Sequence, residues 1–528
     1  MLADTWRDLI LIRAVILFLH SIGPLCSAYT LTLLRRAVFT PRIPPLTVFQ
    51  RWCVAEALFF AFFLWYRTYL QREALHPPPR TKEERKRLFD KVRSEIHDPK
   101  KFLSGWFRGA ELDDIGRDDL KVFLDWAFWE GRAGGDHDED LEEYTLKVEK
   151  MMGRPFKPGK GKAKSLRLTI DPIEMEWRSL LWYAIILLVD TASHVRMLLY
   201  GHKYYWTTAT SINIFPPRPL AIATATARSP AKTTSYWLRP HTSKTRLPVV
   251  YLHGIGVGLH PHVEFLHELD EALNAGSDKK ADGRVGVLSV ETMQISTRLT
   301  HPILTRDEFA KQLTTVLDTH GFKRFVMVSH SYGSVLSTHI LTNDALASRV
   351  AGTLLVDPVT VLLHMPDVAY NFTIRQPRHA NEWQLWYFAS KDPGTSHTLG
   401  RHFFWSENIL WRDRIMHLVK DKGMRMTASL ASHDLIVDTA AVGQYLMEAE
   451  VPDPVLVTDE TSQQPRMELE SKHEGGSEGK MEEWKKREWK GKGLEVMWWQ
   501  GLDHAQVFDE KASRKKLIDV LVEYSRGE

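Results

Sequence analysis

Residues 325–341, FVMVSHSYGSVLSTHIL, read as a buried strand that turns abruptly into a helix. Phe325 to Ser329 is a short apolar run, and from Tyr332 onward the spacing becomes helical. Working outward from this stretch, the same kind of run recurs at Leu247–Leu252, Val285–Val290, Gly352–Val356, Met424–Leu430 and Leu494–Trp498. Pro219–Ala227 and Thr233–Arg239 read as two opening strands. Between the runs lie helical patterns. Asp307–His320 puts Phe309, Leu313, Val316 and Leu317 on one face, and a last helix does the same with Leu517, Val520, Leu521 and Tyr524. Such alternation predicts an α/β fold, a mostly parallel sheet with helices on both faces, occupying residues 203–528.

The first 202 residues have another character. No charged residue occurs from Ala14 to Leu34, a run long enough as a helix to cross a bilayer core of ~30 Å. A second apolar segment runs from about Trp52 to Tyr69, so residues 1–75 are expected to be uncleaved membrane-anchoring helices. Residues 76–171 form a polar, basic region in which Phe123, Trp126 and Ala127 recur at helical spacing. Residues 172–202 hold a third apolar stretch, but Asp190, His194 and Arg196 interrupt it. It reads equally as a membrane span, an interfacial helix or a core helix. The expectation is an integral membrane protein whose partner is the lipid bilayer. Basic residues on both sides of the second segment leave organelle and sidedness open.

Two insertions interrupt the strand–helix series. Residues 360–421 carry Trp383, Trp386, Tyr387, Phe388, Phe403, Phe404, Trp405 and Trp411. So apolar a segment is expected to fold as a helical lid at the end of the sheet. Residues 452–492, rich in Glu, Lys, Ser and Gly, are expected to be a disordered surface loop.

Composition excludes several classes. A net charge of +3 over 528 residues does not suggest a nucleic-acid binder. Two cysteines, Cys26 and Cys53, are too few for a disulfide framework or a thiolate zinc site. His260 and His262 have no carboxylate partner at metalloprotease spacing, so neither metal nor cofactor is expected.

Ser329-His330-Ser331-Tyr332-Gly333 sits between strand and helix, the context of a nucleophile elbow. The turn is tight enough to need small residues two places either side of Ser331. Gly333 satisfies this, and Ser329 stands where glycine is usual. A hydroxyl attacks only when a base takes its proton. His504 lies just beyond the last strand, in the order Ser, acid, His. Two aspartates compete to orient it: Asp434, which is preferred, and Asp357, whose alternative role is a cap before Pro358. N–H groups for a developing oxyanion are expected at Tyr332 and at Ile255, in the turn His253-Gly254-Ile255-Gly256. A dinucleotide-binding loop is a weaker reading of that turn, because its third glycine would fall on Leu259.

From about Leu247 onward the chain resembles the α/β-hydrolase superfamily, of the serine-hydrolase, single-domain lipase and esterase (AB hydrolase-1) type. The narrower similarity is to fungal membrane-anchored members. It rests on residues 251–256, 329–333, 366–372 and 381–388 and on Asp503-His504-Ala505-Gln506. The resemblance implies hydrolysis through Ser331, His504 and Asp434, and the aromatic insert suggests an apolar, lipid-like ester as substrate. A catalytically silent membrane adaptor on the same fold is the alternative.

Overall fold

The computed structural model describes residues 4–39, 45–132, 138–275, 282–448 and 483–527. Nine strands form one sheet: β1 Lys203–Trp206, β2 Ala227–Arg228, β3 Ser235–Arg239, β4 Val249–Leu252, β5 Val287–Glu291, β6 Phe325–His330, β7 Val350–Val356, β8 Arg425–Ala431 and β9 Leu494–Trp499. Their order is β2-β1-β3-β5-β4-β6-β7-β8-β9. β3 runs antiparallel to β1 and β5, and the remaining pairs are parallel. Every residue of β4, β5, β6 and β7 is buried, as parallel strands with both faces covered must be.

Side chains alternate between two cores. Val250, Leu252 and Met327 face the helices Arg306–Thr319 and Gly333–Leu341, whereas Val249, Tyr251 and Val328 face Val263–Leu273 and Lys511–Ser525. Leu517, Val520 and Leu521 on the last helix are fully buried, contributing about 1.5–3 kcal/mol each.

Three sequence expectations require correction. Pro219–Ala223 is a short helix, not a strand, because Pro219 occupies the first turn, where its fixed φ and missing N–H favour a helix start. Only Ala227–Arg228 of that stretch pairs with the sheet. Lys203–Trp206 is a strand that the apolar pattern did not signal. Of the 452–492 segment, residues 452–482 lie outside the described residues, but 483–492 are ordered. Trp484 is buried against Gly443, and Trp489 Nε1 donates to Thr427 Oγ1 at 2.9 Å.

Trp6–Phe39, Val48–Leu70 and Leu180–Leu199 are each long and apolar enough to cross a membrane. Leu17, Leu25, Leu31, Leu58, Leu64 and Leu188 project outward uncovered. The first two helices are linked by Gln50 Nε2 donating to Tyr29 Oη at 3.3 Å. Buried Glu56 accepts from the N–H groups of Leu180 and Leu181, both at 2.9 Å, and so satisfies the start of the third helix. Four polar residues of the third helix are engaged by the sheet-bearing half, while Thr191 Oγ1 donates to Leu187 O within the helix. Asp190 pairs with Arg218 at 2.9 Å and Arg298 at 3.0 Å, Ser193 bonds His260, His194 bonds Thr224, and Arg196 pairs with Glu264. The described part of residues 82–152 forms four α-helices and one short 3-10 helix around their own core, which includes Phe89, Leu120, Phe123 and Phe128.

Candidate active site

β6 ends at His330, and the chain reverses at Ser331 with φ +52° before the helix Gly333–Leu341. A left-handed conformation at a non-glycine residue is strained and persists only where its surroundings impose it. Here Ser331 N donates to Val356 O at 2.9 Å, and Ser331 O accepts from Ser334 N and Oγ at 2.8 and 2.6 Å. The small neighbours are required. A Cβ on Gly333 would fall 2.3 Å from Leu252 O, and one on Gly254 would fall 2.8 Å from Ser331 Cβ. Ser329 lies fully buried in register with Leu252.

Ser331 Oγ lies 2.9 Å from His504 Nε2, and His504 Nδ1 lies 2.7 Å from Asp434 Oδ2. The other oxygen of Asp434 accepts from the N–H groups of Ile436 and Val437 at 2.8 and 3.0 Å, which fixes the carboxylate. Asp357 approaches the same imidazole but bonds backbone instead. Its oxygens accept from Ala431 N at 3.2 Å and Ala505 N at 2.9 Å, stitching the loops after β8 and β9 together. Asp357 and Ala505 both have positive φ, +44° and +67°. Ligand atoms of Asp357, Asp434 and His504 lie within 4.8 Å of one another. The hydrogen bonds just given account for the clustering of these three side chains.

Electrostatics follow from two carboxylates around one buried imidazole. Burial opposes the charged form of His504, but Asp434, by charge and hydrogen bond, then Asp357 and Asp503, outweigh it and raise the imidazole to about 9. Burial likewise drives Asp357 upward, and Asp434 adds to this, although the His504 charge and two backbone N–H groups oppose it.

The turn after β4 lies directly behind Ser331. His253 is fully buried, its Nε2 accepting from Thr292 N at 2.9 Å, so Nδ1 carries the proton and donates to Gly254 O at 2.8 Å. Burial lowers its basicity, although the bond to Gly254 O opposes this. Gly256, at φ +153°, donates to Ile295 O and accepts from Thr297 Oγ1, fixing the turn. Ile255 and Tyr332 both line a cavity that opens onto Ser331.

Beside Val359 and Ile436, the walls of that cavity come from two directions. Leu363, Phe372, Phe403 and Trp405 come from the inserted segment, and Trp106, Trp126 and Leu168 from the N-terminal helical region. The latter group lies more than 150 residues before Ser331 and carries no local sequence signal of belonging to a site. The insert's aromatics divide. Trp383, Trp386, Tyr387 and Phe388 pack with the apolar N-terminal helices, and Trp411 stacks on His364. A further residue escaped the sequence reading: Asn381 Nδ2 donates to Asp503 Oδ2 at 3.0 Å, beside His504.

No family model matches the chain, and no curated protein matches it. Among solved structures it is similar to a membrane phospholipase A described as a bacterial virulence factor (9% identity over 65% of this chain and 94% of the other, TM-score 0.36). It is similar also to naproxen esterase from Bacillus subtilis (10% identity over 63% and 96%, TM-score 0.35) and to an esterase from Pyrobaculum calidifontis (10% identity over 65% and 92%, TM-score 0.34). At that distance the chemistry has to be read from this chain's own residues.

Proposed function

We propose that the protein is a membrane-anchored serine hydrolase that cleaves an apolar carboxylic ester. The observation that carries this reading is the line Ser331 Oγ–His504 Nε2–His504 Nδ1–Asp434 Oδ2, 2.9 and 2.7 Å, at a strained strand-to-helix turn. His504 Nε2 takes the Ser331 proton as Oγ attacks the ester carbonyl. The N–H groups of Ile255 and Tyr332 stabilise the resulting oxyanion. Collapse expels the alcohol, which receives the proton from His504 and leaves an acyl group on Ser331. A water molecule then gives a proton to His504 and attacks the acyl carbonyl, and as the carboxylic acid departs His504 returns that proton to Ser331 Oγ. Asp434 holds the imidazole in the required tautomer, and Asp357 positions the two loops that carry Asp434 and His504.

The apolar walls around Ser331 support an ester with a hydrocarbon acyl group, and the inserted segment serves as a lid. The three apolar helices support the anchor. The narrower likeness to fungal membrane-anchored hydrolases rests on the sequence runs alone. A fluorophosphonate probe should label the wild-type protein and leave Ser331→Ala unlabelled. Equal labelling of both would remove Ser331 from the chemistry. A folded wild type with no labelling would favour the silent adaptor.

A further inference from the structure

Behind the Ser331 cavity lies a second one, inside the N-terminal helical region. Its lining includes Phe89, Phe102, Leu120, Phe123, Val148 and Met152. Both cavities are narrow, about 50 Å³ each, so a chain that enters the first has little room to bend. Both are bounded by the same three indoles, Trp106, Trp126 and Trp405.

These indoles are held in place. Trp106 Nε1 donates to His364 O at 3.1 Å, Trp126 Nε1 to Thr169 Oγ1 at 3.3 Å, and Trp405 Nε1 to Ala127 O at 3.1 Å. Trp106 and Trp126 pack with their centroids 5.3 Å apart. Two of these bonds cross between the helical region and the insert, so the wall belongs to both. Another part of the Ser331 cavity wall differs. Leu168, Thr373 and Leu399 are shared with a polar groove that also contains Lys160, Lys162 and Lys164. An amphiphilic ester bound at Ser331 therefore has one orientation that keeps its polar end in the groove and sends its hydrocarbon end toward the indoles.

Building on the serine-hydrolase reading above, we propose that the Trp106–Trp126–Trp405 wall limits the length of the acyl chain. A straight acyl chain runs from Ser331 to the wall and stops there. The apolar chamber behind becomes usable only when an indole is removed. Helices remote in sequence from the catalytic half thus select the substrate, and the discrimination is steep because each methylene in an apolar pocket changes the rate about 10–200-fold.

The test uses the full-length protein with p-nitrophenyl esters from acetate to palmitate. For the wild type, kcat/KM should rise with chain length and then fall once the wall is reached. Trp405→Leu and Trp126→Leu should each move the optimum to longer chains and raise the long-to-short ratio about tenfold. An unmoved optimum in variants that melt cooperatively and still label with a short fluorophosphonate overturns the proposal. Trp126 is deeply buried, so its loss costs stability, and an arm without wall variants covers that case. In Ser331→Ala, binding of saturated fatty acids by calorimetry should strengthen with length and then level off. Gain continuing without a break to palmitate overturns the proposal. If short fluorophosphonates fail to label the wild type, the serine chemistry falls, and the fatty-acid series still decides the wall.

Discussion

Asp503 receives a hydrogen bond from Asn381, and through it the inserted segment grips the loop that carries His504. One oxygen of Asp503 accepts from Asn381 Nδ2 at 3.0 Å, and the other from the N–H groups of His504 and Leu435 at 2.6 and 3.1 Å. Three segments distant in sequence meet on one carboxylate, beside the imidazole it helps to place. Asn381→Leu removes the tie without touching the imidazole. A hydrogen bond to a charged group is worth about 1.5–3 kcal/mol, so kcat should fall roughly tenfold or more with KM little changed. Steady-state kinetics on a soluble ester, with Ser331 labelling rates alongside, check this.

The two aspartates are expected to separate by what their loss damages. Asp434→Asn presents an amide to His504 Nδ1 and disturbs its tautomer, so kcat should drop by about 10⁴ with little change in melting temperature. Asp357→Asn leaves that contact intact but turns an NH₂ group toward one of two backbone donors. It should cost about 1–3 kcal/mol of stability and far less activity. Turnover and thermal melts on both variants decide; the reverse pattern would exchange the two roles.

The pH profile follows from the raised basicity of His504. Catalysis requires the neutral imidazole, and the folded value lies up at about 9. Activity should therefore climb with pH through the alkaline limb instead of reaching its plateau near 6.5. Asp357 contributes to the upward shift, so Asp357→Asn should move the inflection toward lower pH. An inflection near 6.5 in the wild type, or an upward move in the variant, contradicts this account.

Gly254→Ala would set a methyl group 2.8 Å from Ser331 Cβ, with His330 on the other side. Neither neighbour is a flexible chain end, so the elbow must shift. Fluorophosphonate labelling should fall at least a hundredfold while the protein still folds, a comparison best made at matched melting temperature.

The outward-facing leucines of the apolar helices should keep the protein in the membrane pellet under alkaline carbonate. Quantitative release into the supernatant would refute the anchor.

The sheet was legible because its central strands are buried on both faces and so appear as unbroken apolar runs; Val249–Leu252 and Phe325–His330 are of this kind. Its first edge was not. Lys203–Trp206 is short and aromatic and adjoins an apolar helix, so no period stands out. Pro219–Ala223 has the apolar content of a strand, but its proline starts a helix. At the site, the order of Ser331, Asp434 and His504 and the small residues around the elbow could be read directly. Asn381, Trp106 and Trp126 could not, because their relation to Ser331 exists only through long-range packing. The aromatic insert looked like a single lid, but Trp383 to Phe388 turn toward the N-terminal helices.

Asp190 has a consequence for anyone wishing to prepare the sheet-bearing half alone. A fragment beginning at residue 203 inherits Arg218 and Arg298, each with only 2% of its side chain exposed, and discards the carboxylate between them. Glu291 remains for Arg218 at 2.9 Å and still attracts Arg298 through its charge, but among the described residues Pro216 O is the hydrogen-bond acceptor that Arg298 keeps. Stranding a buried cation in this way costs about 3–5 kcal/mol, a large share of a typical domain's net stability. Detergent or nanodisc preparations of the whole chain are therefore the practical route to an active sample, and a truncation would need Arg298 replaced by a neutral residue of similar bulk.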